Sequence, residues 1–124
     1  MFEQLTSVQA FDVLLSQDSV VFVIKTGDLG KAIGKNGLTL ARLERTMGRK
    51  VELVEFADNL EGFLRNLFKP AKLEQVQINN AGQNVVLRVE MQNKGLAIGR
   101  GGSKINRARE LAKRHFGVIE LKVM

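Results

Sequence analysis

The chain has 124 residues, room for one ordinary domain or two very small ones, and its apolar fraction of 44% argues against disorder. Zero cysteines exclude disulfides and thiolate metal sites, and no apolar run approaches the roughly 20 residues that a membrane span needs. A net charge of +6 favours a polyanionic partner, and an N-terminus with an acid at Glu3 and no basic start does not read as a signal peptide, so a soluble cytoplasmic protein with no membrane partner is expected.

In chain order, the first few residues predict about one last turn of a clipped helix. Val8 to Leu14 and Val20 to Lys25 then predict two strands of a hairpin turning at Ser16-Gln17-Asp18. A glycine stretch, GKAIGKNG, follows at positions 30 to 37. After it, Leu40, Leu43 and Met47 share one helical face, Gly48 marks the helix end, and Val51 to Phe56 predicts a strand. Asp58 with Glu61 three residues on resembles a capping box, opening a helix whose apolar face is Leu60, Phe63, Leu64, Leu67 and Phe68 and which Pro70 ends. Leu73, Val76 and Ile78 predict a strand, 79–82 a turn, and Val85 to Val89 a second strand. A short helix leads into a second glycine stretch, GLAIGRGG, at positions 95 to 102. A longer helix with Ile105, Ala108, Ala112 and Phe116 on one face then ends at Gly117, and Val118 to Val123 predicts the last strand.

This order repeats. At an offset of 65 the halves align without a gap over some forty residues: Gly30 falls on Gly95, Ala32 on Ala97, Ile33 on Ile98, Gly34 on Gly99, Lys35 on Arg100, Gly37 on Gly102 and Arg42 on Arg107. Two α+β domains are therefore expected, 1–56 and 57–124, each a small three-stranded sheet packed on helices. No Gly, Ser or Pro spacer lies at their junction, so a fixed mutual orientation is expected. Positive charge follows the repeat: from Lys25 to Lys50, seven Lys or Arg face only Asp28 and Glu44, and from Lys94 to Phe116 another seven face only Glu110.

A helix, Gly-x-x-Gly, helix arrangement suits a phosphate. Glycines at 34 and 37, or at 99, 101 and 102, let the chain turn sharply, and the next helix presents unpaired N–H groups and the positive end of its dipole. Lys35 and Asn36, or Arg100 and Gly101, form the tips. Arg42 and Arg45, or Lys104, Arg107 and Arg109, can reach further backbone phosphates, and Ile33 and Ile98 offer an apolar floor for a base. Gly30 and Lys31 belong to the same stretch, although Leu96 replaces Lys31 in the second copy. A sugar-phosphate strand gripped along one side, with its bases over an aliphatic floor, is the natural ligand.

Rivals fail on spacing. Neither stretch is a G-x-x-x-x-G-K-[ST] loop, with Asn36 standing where a magnesium-binding hydroxyl should be, and the dinucleotide fingerprint G-x-G-x-x-G is absent. An RNA-recognition motif needs matched aromatic strands, but Phe22 aligns with Leu87. The sequence supports no enzyme, cofactor or metal: there is no cysteine nucleophile, no metal-spaced cluster and no recurring acid pair. His115 reads as a helix-end cation, and the Phe residues read as core.

The order of elements together with AIGKNG and AIGRGG resembles tandem KH domains of the type II arrangement, in which the extra helix and strand come first. With the ending RHFGV, the chain is similar to the archaeal NusA-like transcription termination and antitermination factors. The resemblance implies that the loops 34–37 and 99–102 clamp single-stranded RNA, with RNA polymerase or the transcription complex as a further partner and a monomer as the working form. A KH protein of ribosome assembly or RNA quality control, and a small nucleotide-phosphate-binding protein, are the alternative readings. Two loops suit a polymer better than a mononucleotide.

Overall fold

A computed structural model of the chain describes Phe2, Thr6, 8–16 and 19–124. The chain is α+β and divides into two compact units, Met1–Ala57 and Asp58–Met124. Most of the expected opening helix (Met1, Glu3, Gln4, Leu5, Ser7) and the turn residues Gln17 and Asp18 lie outside the described residues.

In the first unit, β1 (Ala10–Leu15) pairs antiparallel with β2 (Ser19–Ile24), and β2 pairs parallel with β3 (Lys50–Glu55). The segment SVVFVI is β-branched or aromatic at nearly every position and buried from Val20 to Ile24, which suits the middle of a sheet. A parallel return needs a long crossover. Here the crossover is α1 (Leu29–Ile33), the turn Lys35–Gly37 and α2 (Leu38–Met47). Val20, Phe22, Ile24 and Val51 form the core with Ala32 and Leu43, and Leu40 and Met47 pack partly against it, matching the expected inner face of α2. Phe2 is helical and stacks on Phe22 with ring centroids 4.2 Å apart.

In the second unit, α3 (Leu60–Phe68) buries Phe63, Leu64, Leu67 and Phe68. Its cap corrects the sequence reading: Asn59, not Asp58, is the N-cap, and its Oδ1 accepts the Gly62 N–H at 2.7 Å. Asn59, extended at φ −123° and ψ 155°, is the residue just before the helix, so its side chain is the one placed to accept a first-turn donor. β4 (Gln75–Asn79) pairs antiparallel with β5 (Asn84–Arg88), and β5 pairs parallel with β6 (Glu120–Val123). The crossover is α4 (Met91–Ile98), the turn Arg100–Gly102 and α5 (Ser103–Phe116). Helix α5 buries Ile105, Ala108, Leu111 and Ala112, and packs against α3, where Phe116 lies 5.6 Å from Phe63. Buried Leu73 and Val118 precede the strands they were expected to open.

Both crossover helices stop at a left-handed glycine, Gly48 and Gly117, as their placement in the sequence predicts. One aromatic departs from expectation. Phe11 is 52% exposed, its ring edge-on to Phe56 at 5.7 Å, because the β1–β2 register shifts between Ala10 and Asp12 and leaves Phe11 unpaired. Among the described residues, no helix is long and apolar enough to cross a membrane.

Candidate nucleic-acid interface

The two glycine stretches fold alike. Gly34 has φ 79° and ψ 171° and Gly99 has 78° and 171°; Gly37 has 73° and 13° and Gly102 has 79° and 12°. Between them, Asn36 at φ 56°, ψ 26° matches Gly101 at 62°, 21°. In each turn the second glycine donates its N–H back to the first, Gly37 to Gly34 at 3.2 Å and Gly102 to Gly99 at 3.1 Å.

The first glycine of each turn is required. Its dihedrals fall in a region that side-chain-bearing residues essentially never occupy. A Cβ at Gly34 would also sit 2.9 Å from the Thr39 nitrogen, and one at Gly99 would sit 2.8 Å from the Lys104 nitrogen. The sequence reading assigned these glycines to a sharp turn of the chain. At these two positions the close neighbour is the chain's own next helix. At Gly37 and Gly101, by contrast, no atom lies within 4 Å of an added Cβ, so the outer side of each turn is open.

That open side faces the starts of α2 and α5. Their N-caps, Gly37 and Gly102, have no side chain to accept the first-turn N–H groups, and neither helix has an acid in its first turn. The Leu38 and Ser103 N–H groups already donate to the Lys35 and Arg100 carbonyls, so it is the donors after them in the first turn, with the positive dipole end, that are left for an outside acceptor. Lys35 and Arg100 are exposed at the tips, beside exposed Asn36 and Gly101. Arg42 and Arg45 are exposed along α2, and among the described residues neither has an ion-pair partner. Gly30 and Lys31 lie within α1, before the turn, and are exposed.

The basic residues of the second unit are placed differently. Lys104 Nζ donates to the Lys69 carbonyl at 2.6 Å. Arg109 Nε donates to the Leu121 carbonyl at 3.1 Å, and Nη1 donates to Asn106 Oδ1 at 3.3 Å, so both side chains brace the fold. Arg107 is half-buried. The position equivalent to Arg109 in the first unit is Glu44, whose Oε2 accepts the Val51 N–H at 3.0 Å. Opposite charges at one helical position therefore each satisfy a main-chain group of the sheet's last strand.

The apolar positions are brought beside the turns unequally: Ile98 is 38% exposed and Ile33 half-buried, while Ala32 and Ala97 behind them are fully buried. Leu38, absent from the sequence candidates, is 67% exposed as the first residue after Gly37. Its helical phase, away from Leu40, Leu43 and Met47, is the signal that could have found it. On β6, the Lys122 ammonium is held above its ordinary pKa by a hydrogen bond and charge attraction from Glu120, 2.9 Å away. Among the described residues, no group of three or more His, Cys, Asp or Glu could hold a metal ion.

This architecture is that of a known class: residues 60–123 match the family model of the NusA-like second KH domain. A Halobacterium salinarum protein named probable transcription termination protein NusA is 40% identical over 124 residues, covering 99% of this chain and 89% of that protein. A Methanocaldococcus jannaschii protein of the same name is 33% identical, covering 99% of this chain and 68% of that one. The crystal structure of APE1850 superposes with a TM-score of 0.84 at 31% identity, covering 99% of this chain and 92% of that one. The chain belongs to the archaeal NusA-like family of KH-domain proteins.

Proposed function

We propose that this protein binds single-stranded RNA in transcription termination or antitermination, gripping the sugar-phosphate backbone with two glycine turns. In this reading residues 1–56 and 57–124 are two KH domains of the type II arrangement. A backbone phosphate sits against the open N–H groups at the start of α2 or α5, beside Lys35 or Arg100. Arg42, Arg45 and Arg107 meet phosphates further along, and Lys31 adds charge before the first turn. Lys104 and Arg109 add positive potential while their donors hold the fold. Gly30 keeps the approach to the first turn unobstructed, and Ile33 and Ile98 give the bases an apolar floor. Binding, with no catalysis or cofactor, is the activity, carried out by a monomer with the transcription complex as a further partner.

One observation carries the proposal: the same uncapped, basic turn is built twice, 65 residues apart, with matching backbone angles. The role in transcription is supported by the names of the relatives above. The test replaces Lys35 and Asn36, or Arg100 and Gly101, with Asp in pairs, all four positions being exposed. At low salt, each folded variant is expected to bind a single-stranded RNA panel about tenfold more weakly or worse, from placing like charge against phosphate. The larger loss is expected in the second unit, whose turn region carries fewer acids. Parent-like affinity in both folded variants would overturn the proposal.

A further inference from the structure

We propose that Asn36 is a site of spontaneous deamidation, and that its conversion places a carboxylate inside the first glycine turn. Asn36-Gly37 is the one Asn-Gly step in the sequence, and every other asparagine is followed by a residue bearing a Cβ. The reaction needs a side-chain amide within reach of the next main-chain nitrogen, and little crowding around that nitrogen. Asn36 is exposed at the tip of the turn. No atom lies within 4 Å of where a Cβ on Gly37 would be, and the Gly37 N–H is held only by a long 3.2 Å bond to the Gly34 carbonyl.

The chemistry requires only water. The Gly37 nitrogen attacks Cγ of Asn36, a C–N bond forms, and the side-chain nitrogen leaves as ammonia, taking the proton from Gly37. Water then opens the cyclic imide at either carbonyl, giving aspartate or isoaspartate; the latter lengthens the main chain by one methylene. The second turn has Gly101 at the matching place and cannot react. The outcome is one ageing turn and one permanent turn in the same chain. The aspartate form keeps its stability, because a carboxylate suits the start of α2, but repels a phosphate there. That consequence rests on the function proposed above; the chemistry itself does not.

The experiment incubates the full chain at mildly alkaline pH and maps amide-to-acid conversion by peptide mass spectrometry. Asn80 is the internal control: it is exposed, sits in a turn and has the same φ of 56°, but is followed by Ala81. Asn36 is expected to convert several-fold faster than Asn80, and Asn36→Gln to abolish the mass gain in that peptide. Equal rates, or conversion at Asn80 first, would overturn the site. Ion exchange then separates the aged protein, which should bind an oligouridine probe about tenfold more weakly than the fresh protein. If aged and fresh protein bind alike while the Lys35→Asp and Arg100→Asp variants bind weakly, the switch is overturned. If no turn variant alters binding, the RNA reading fails and the deamidation site stands.

Discussion

The turns at 34–37 and 99–102 follow one backbone path with different residues, whereas the helices after them carry opposite charges at one matched position. Lys35-Asn36 and Arg100-Gly101 adopt nearly the same angles, but Glu44 stands where Arg109 does. The difference separates what geometry demands from what it leaves free. A φ near 79° with ψ near 171° accepts only glycine, so Gly34 and Gly99 are fixed by the fold. The last strand's main-chain groups need a partner of either kind: Glu44 accepts the Val51 N–H, while Arg109 donates to the Leu121 carbonyl. The core shows the same latitude, since buried Leu43 aligns with buried Ala108, where α3 packs against α5.

The largest effect that would break this equivalence is at the first glycines. Gly34→Ala and Gly99→Ala should each destabilise their unit by about 2–3 kcal/mol, from forbidden angles and contact with the next helix's nitrogen. Denaturant midpoints measure it, and an unaffected Gly99→Ala would show that the turns are not equivalent. The smallest effect sharpens the comparison. Exchanging the tips, Asn36→Gly and Gly101→Asn, should change stability by less than about 1 kcal/mol either way, because asparagine tolerates the left-handed region and glycine costs backbone entropy.

Much of this was legible in the sequence because glycine marks positive φ. The Gly34 and Gly37 pair, repeated at 99 and 102, locates the turns, and Gly48 and Gly117, 11 and 15 residues further on, mark the ends of the long helices without any tertiary knowledge. Local ambiguity defeated the cap of α3: Asp58 and Asn59 are both good caps, and Glu61 completed a plausible box with the wrong one. Phe11 was unreadable because a shift in strand register changes which face each residue takes, and alternation alone does not announce it. Lys104 and Arg109 looked like free cations on a helix. Their partners, the carbonyls of Lys69 and Leu121, lie 35 and 12 residues away, and only the folded chain brings them together.

The central claim is that both turns meet RNA through the open starts of α2 and α5. Amide chemical-shift changes on titrating the isotopically labelled chain with a single-stranded RNA oligonucleotide test it most directly. The account predicts that the largest changes fall on the N–H groups from Lys35 to Leu38 and from Arg100 to Ser103. Changes concentrated elsewhere, such as on β4 or α3, with both turns silent, would contradict it.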